Sequence, residues 1–328
     1  MISRVAEHCF WMARYLERSE NTARVLDVNQ TLLLDFEVPF EQQWKPLLII
    51  SGIHDFKREA ESEAVQEYMT WDRDNPCSIA SSIAFARENA RIIREVISGD
   101  MWERLNHYYL WMQSQQARST YDNDRSAFYN QIKRISQLLY GVAEGTVSHG
   151  ESWDFFNLGR YLERACQTGR ILDVKYHLLL PTPEHVGTPI DYAQWTAILK
   201  SCSGYEAFHK QYQGLDRGTS IAGFLIFDPI FPRSIRRCLW YCRDASHTIS
   251  DRKKGQPGNA AETLLDGLID WLNLVNINDF VSAGLHESLT RIIDTIHHIG
   301  TAITHTYFEF RHPVEEYAIV QTQHQTQA

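Results

Sequence analysis

Two short clusters of arginine and glutamate carry the clearest chemical signal in this chain. They are Arg14-x-x-Glu17-Arg18 followed by Arg24 and Asp27, and Arg160-x-x-Glu163-Arg164 followed by Arg170 and Asp173. A guanidinium grips a carboxylate or phosphate with two parallel hydrogen bonds, and a neighbouring carboxylate either orients it or takes an amine. Arg14, Arg18, Arg24, Arg160, Arg164 and Arg170 are therefore candidate substrate-binding residues, and Arg87 with Glu88 joins them as a further basic–acidic pair. Glu17 and Glu163 are the candidate catalytic groups, as general bases with the arginines clamping an anion. Two structural readings compete with this one. A solvated face laced by i, i+3 and i, i+4 pairs would contribute only about 0.2–0.5 kcal/mol per pair. Buried ion pairs locking two helices would matter more, since loss of one partner costs about 3–5 kcal/mol. A solvated face would drift once copied. Its polar neighbours have changed, Glu20 against Cys166 and Asn29 against Lys175, while the arginines and glutamates have not. Lock and pocket both remain, and two copies converging on a pseudo-twofold axis would merge them.

The clusters lie inside a longer internal match. Residues 10–34 and 156–180, at a constant offset of 146, are identical at fourteen of 25 positions. Further along, Trp71-Asp72 and Asn75-Pro76-Cys77-Ser78-Ile79 face Phe227-Asp228 and Phe231-Pro232-Arg233-Ser234-Ile235. The interval from Pro76 to Arg87-Glu88 equals that from Pro232 to Arg243-Asp244. The expectation is a tandem duplication: a first helical repeat over 1–146, a second over 147–310, with separate cores or one shared core, and a polar tail over 311–328.

The elements that must position these side chains read as helices. Trp11, Met12, Tyr15, Leu16, Ala23 and Leu26 fall on one side of a helical wheel, and Arg14, Glu17, Asn21 and Arg24 on another. After Asn75-Pro76, read as N-cap and first helical residue, Ile79, Ile83, Ala86, Ala90, Ile93 and Ile97 form an apolar stripe. Long helices are also expected over 101–117, 125–147, 232–252, 258–276 and 279–310. Gly and Pro, 17 and 10 residues, make up too small a share for a chain built of hairpins and tight βα turns. The fold class is all-α, a tandemly duplicated bundle of long antiparallel helices.

Composition narrows the function. With 32 Lys+Arg against 41 Asp+Glu the net charge is −9, which argues against a chain built to bind nucleic acid or anionic lipid. No apolar run reaches the ~18 residues of a membrane helix, and acid and base appear too early for a secretion signal, so a cytoplasmic location is expected. Six dispersed cysteines fit a reduced compartment, with Cys238 and Cys242 read as core thiols rather than half a metal site. No metal site is expected: the fourteen histidines include no H-E-x-x-H. Gly141, Gly145 and Gly150 match no nucleotide loop.

Met1-Ile2-Ser3-Arg4-Val5-Ala6, followed by Tyr15-Leu16-Glu17-Arg18-Ser19-Glu20-Asn21-Thr22-Ala23-Arg24, resembles the alpha-E family, all-helical bacterial proteins named for a Glu-Arg motif. Asn75-Pro76-Cys77-Ser78-Ile79, Ala86-Arg87-Glu88-Asn89-Ala90-Arg91, Met101-Trp102-Glu103-Arg104-Leu105-Asn106 and Leu158-Gly159-Arg160-Tyr161-Leu162-Glu163-Arg164-Ala165 are similar to further blocks of that family. Cys77 departs from the small residue usual between Pro and Ser. The resemblance covers about residues 1–310. It implies a partner, a circularly permuted ATP-grasp ligase encoded beside or fused to the chain, in a system that makes or modifies peptide-like amides. ATP and Mg would then enter through that ligase, with no cofactor bound by this chain itself, and the substrate would be an amino acid or peptide. The leading expectation is a helical partner subunit of an amide ligase that holds its substrate in an Arg/Glu pocket. An autonomous enzyme using a Glu base, and a scaffold with structural ion pairs, are the alternatives.

Overall fold

The computed structural model describes residues 3–33, 40–53, 56, 61–177, 188–212, 218–253 and 256–309; the polar tail over 311–328 lies outside them. Among the described residues every regular element is helical, as the periodicity and the low Gly and Pro content anticipate. The first seven helices are α1 (Ser3–Leu33), α2 (Phe40–Ile50), α3 (Ser62–Thr70), α4 (Ile79–Ile92), α5 (Gly99–Met112), α6 (Gln115–Asn123) and α7 (Arg125–Thr146). There follow α8 (Glu151–His177), α9 (Pro189–Ser201), α10 (Tyr205–Gln211), α11 (Gly218–Phe227), α12 (Ile235–Ile249), α13 (Ala260–Leu274), α14 (Ile277–Ala283) and α15 (Leu285–Ile303). A π-helical turn, Thr304–Phe308, extends α15.

The axis of the molecule is the pair α1 and α8, which carry the two Arg/Glu clusters. The antiparallel arrangement expected of the long helices does not extend to them. Arg14 meets Glu163, Asn21 meets Gln167, and Phe10 meets Gly159, so contacts advance in the same direction along both helices and the pair runs parallel. Parallel neighbours need a long return path, and α2 to α7 supply it. The approach is as close as a helix permits: a Cβ placed on Gly159 would lie 2.2 Å from the carbonyl oxygen of Phe10.

The surroundings of the two helices match. α4 and α7 flank α1 as α12 and α15 flank α8, while α2 reaches across to α8 and α9 to α1. One hydrophobic core runs through both sets, from Ala6 to Phe308, and includes Cys238 and Cys242 as buried thiols. As a result α1 is enclosed on most sides, and its polar stripe faces α8 instead of water.

Local chemistry shifts several expected boundaries. Asn75 does not cap α4; its side chain takes the Cys77 N–H, and Ser78 is the N-cap, accepting from Ser81 N–H. Ser234 caps α12 in the same way. The expected helix over 101–117 breaks where Ser114 caps α6. The helix expected over 279–310 is interrupted at Gly284, whose φ of 92° lies in the left-handed region that glycine enters without steric cost. No helix among the described residues is long and apolar enough to cross a membrane.

Candidate functional site

The clusters pair reciprocally across the α1–α8 seam. Arg164 Nε and Nη2 donate to the two oxygens of Glu17 at 2.7 and 2.8 Å. In return, Arg18 Nε and Nη2 donate to Glu163 at 2.8 and 3.2 Å, and Arg14 Nε donates to Glu163 at 2.8 Å. Arg160, the counterpart of Arg14, stands 3.9 Å from Glu17 with its guanidinium over the Tyr140 ring. Asn21 Nδ2 donates to Gln167 at 3.1 Å between the two sets.

From this common plan the two ends diverge. At the Glu17 end the carboxylate also accepts from Arg233 Nη1 at 3.1 Å and the Tyr140 hydroxyl at 2.9 Å, and its residue is 0% exposed. Arg233 Nη2 goes on to Glu20 at 2.8 Å, and Glu20 is held from its other side by Arg24. Burial would push the Glu17 carboxyl up, but Arg164 and Arg233 outweigh it and hold it well below the usual carboxylate range. The same guanidinium–carboxylate contact drives Arg164 further up. Every acceptor direction of Glu17 is in use, and the end is sealed.

The Glu163 end opens into a cavity of about 120 Å³. Arg14, Arg18, Glu163, Cys166, Arg170 and His297 line it, with Cys77, Gln167, Thr22 and Ser51 at its sides. Two lining positions differ from their counterparts at the sealed end. Cys77 precedes the capping serine of α4 where Arg233 precedes that of α12. Cys166 follows Glu163 by three residues where Glu20 follows Glu17. Beside Arg14, Gly300 stands in place of Tyr140: Ser126 on α7 bonds Asp27 at 2.7 Å as His286 on α15 bonds Asp173 at 2.7 Å, and equal steps along the two helices bring Tyr140 and Gly300 into register.

Electrostatics at this end favours an anion. Burial opposes ionisation of Glu163, yet Arg18 and then Arg14 hold its carboxyl well below the usual range. The guanidinium of Arg170 lies 3.2 Å from His297 Nε2. Burial, then Arg170 and Arg14, lowers the basicity of His297, which keeps the imidazole neutral near pH 7. Burial raises the Cys166 thiol above its ordinary value, so it stands in the wall as a neutral group. Among the described residues the lining includes the guanidiniums of Arg14, Arg18 and Arg170 and the carboxylate of Glu163. Among the described residues no cluster of His, Cys, Asp and Glu is arranged to hold a metal ion. A larger hollow of about 420 Å³ between α5, α6 and α7 has Arg134 as its single charged lining residue.

Of the sequence-derived site residues, the structure brings Arg14, Arg18, Glu163 and Arg170 to the cavity. It places Glu17, Arg24, Arg160 and Arg164 in the sealed end. Arg87 and Glu88 are elsewhere. Arg87 bonds Asn106 on α5 at 3.1 Å and packs over Trp102 and Tyr109, while Glu88 pairs with Arg91. Sequence reasoning missed Arg233, Tyr140, Cys77, Cys166 and His297 as members of the two ends. The mismatches Cys77/Arg233 and Glu20/Cys166 were the available signal.

The Alpha-E family, described as a predicted alpha-helical domain with a conserved ER motif, matches residues 1–308. Uncharacterized proteins of Mycobacterium bovis and Mycobacterium tuberculosis are each 23% identical to the chain over 323 residues, covering 90% of it and 35% of their own length. The chain therefore spans about a third of the curated relatives it matches. No solved structure matches it.

Proposed function

The chain belongs to the alpha-E family, and from that premise we propose that it is the helical component of an ATP-grasp-type amide ligase system. In this reading the cavity beside Glu163 holds an amino-acid or peptide substrate by its carboxylate. The observation that carries it is a cavity of about 120 Å³ lined by the guanidiniums of Arg14 and Arg18, both held in place by Glu163. Arg14 and Arg18 are fixed by Glu163, so they meet an incoming anion already oriented. ATP and Mg belong to the partner ligase, whose acyl phosphate water would destroy. A helical subunit that delivers substrate and closes the site meets that need. The greater length of the mycobacterial relatives, of which the matched part is 35%, leaves room for such a partner in the same polypeptide.

In this reading Glu163 positions Arg14 and Arg18, and Glu17 locks the core. A general base must have a lone pair free and a pKa near the working pH. Both glutamates are instead held strongly acidic and saturated with donors. The test is co-purification with the neighbouring ATP-grasp protein, followed by an ATP-dependent ligation screen with amino-acid mixtures. Product is expected only when both proteins and ATP are present. Turnover by this chain alone without ATP would overturn the reading.

A further inference from the structure

Arg87 lies away from the α1–α8 seam, on the seam between α4 and α5, whose counterpart in the second half is the seam between α12 and α13. The two seams can be compared position by position. Met101, Leu105, Tyr108 and Met112 form the buried face of α5, and Ala261, Leu265, Leu268 and Leu272, each 160 residues later, lie on that of α13. The same offset relates Tyr140 to Gly300. In this register Glu262 stands where α5 has Trp102, and Asp266 where it has Asn106. On the second seam these two carboxylates meet the neighbouring bases. Asp266 takes Arg252 at 2.6 Å, Glu262 lies 3.5 Å from the same guanidinium, and His247 is 3.6 Å from Asp266. The first seam has its own bases, Arg87 and Arg94, and lacks those two acids.

Aromatic rings hold these bases instead. Arg94 lies over the Trp102 ring at 4.9 Å, and Arg87 over Trp102 at 5.5 Å and Tyr109 at 5.0 Å. Arg87 Nε donates to Asn106 Oδ1 at 3.1 Å, a neutral acceptor where the other seam has a carboxylate. The closest carboxylate to Arg87, that of Glu88, is 3.9 Å away and is drawn to Arg91 at 2.6 Å. Among the described residues Arg94 has no carboxylate partner. A guanidinium stacked on an aromatic face is held in orientation while its N–H edge stays open to an acceptor. Arg94 is exposed, and Arg87, Trp102 and Tyr109 are half-buried, so the face is open to a partner. We infer that the α4–α5 face docks an acidic helical segment of a partner protein. Two of its carboxylates, one turn apart, reach Arg87 and Arg94 as Glu262 and Asp266 reach Arg252 within this chain. The spacing follows the internal precedent, in which the two acids are i, i+4 on one helix and so share one face. Charge adds selectivity. A chain of net charge −9 repels an acidic segment in general, which leaves the uncompensated arginines as the place of contact. This inference stands apart from the cavity and from the ligase reading, since it concerns neither.

The test is calorimetric titration of the full chain at low salt with a capped, alanine-based helical peptide carrying Glu-Ala-Ala-Ala-Asp, beside its Gln-Ala-Ala-Ala-Asn version and inorganic phosphate. The acidic peptide is expected to bind about tenfold or more tighter than the neutral one, and to weaken several-fold as salt rises from about 0.05 to 0.2 M. Equal binding of the two peptides, or none by the acidic one, overturns the inference. Arg94→Gln removes an exposed guanidinium and is expected to leave the melting temperature unchanged while weakening the peptide about fivefold or more. Asn106→Asp restores on α5 the acid that α13 has at Asp266, and is expected to keep or raise the melting temperature and to weaken the peptide to a similar degree. Unaltered affinity in either folded variant overturns the inference. Arg134→Gln, at an exposed arginine on α7, is the control and is expected to change nothing; a loss equal to that of Arg94→Gln would reduce the binding to general attraction and overturn the site. Phosphate that binds as tightly as the peptide, and is lost in Arg94→Gln, would overturn the assignment to a carboxylate-bearing partner.

Discussion

The Glu17 and Glu163 ends of the α1–α8 seam are built on one plan and differ in what fills them. Both bury a glutamate between arginines of the opposite helix. At one end Arg233, Glu20 and Tyr140 complete the packing, and at the other Cys77 and Cys166 line a cavity while Gly300 stands in the place of Tyr140 beside Arg14. The lesson concerns where function resides in a repeated motif. The retained arginines and glutamates hold the helices together at both ends, and the positions that differ decide which end has room for a ligand.

The comparison can be broken most directly by removing each glutamate. Glu17→Ala leaves Arg164 and Arg233 buried without their carboxylate, and a loss of about 3–5 kcal/mol is expected by chemical denaturation. Glu163→Ala should cost clearly less, because the cavity admits water to Arg14 and Arg18. Equal losses would mean that the two ends do not differ in solvation.

Acid is the next lever. Both glutamates have folded pKa values below their ordinary ~4.3, so the stability they supply is fully present above about pH 5 and drains away as pH falls through and below that value. Melting temperature followed from pH 7 to pH 2 should therefore decline steeply on the acid side. Glu17→Gln should flatten that decline more than any substitution of an exposed carboxylate, and an unaltered slope would count against the lock.

A smaller effect separates Tyr140 from Gly300. Tyr140→Phe removes a hydroxyl bonded to the Glu17 carboxylate and should cost about 1.5–3 kcal/mol. Gly300→Ala adds a methyl at 3.4 Å from Arg14 Nη1 and 3.9 Å from Leu162, at the limit of ordinary contact, and should stay within about 0.5 kcal/mol of the parent in denaturant titration. A destabilisation by Gly300→Ala as large as that by Tyr140→Phe would show the open end to be as tightly packed as the sealed one.

Much of this arrangement was legible in the sequence. The 3.6-residue spacing gave the helices, and the retention of Arg14, Glu17, Arg18 and their partners at 146 residues' distance marked them as paired groups. The direction of the pair was not legible, because periodicity on one helix says nothing about how its neighbour runs. Arg87 and Glu88 recur in the pattern yet serve α4 and α5, since a repeated charge pair also follows from a repeated helix contact. The cavity was written in the mismatches Glu20/Cys166 and Cys77/Arg233, but a difference between matched segments reads as drift until the side chains are seen to meet across α1 and α8. Tyr140 and Gly300 left no signal at all, because α7 and α15 share little sequence and correspond only through where their residues pack.

The central claim is that the cavity at the Glu163 end is the working site and the Glu17 end its filled counterpart. ATP-dependent product formation by the reconstituted pair, with the chain carrying Cys77→Arg/Cys166→Glu, tests it most directly. The account predicts a folded chain whose kcat/KM falls at least tenfold, about 1.4 kcal/mol of lost transition-state stabilisation. Full turnover by that filled variant would contradict it.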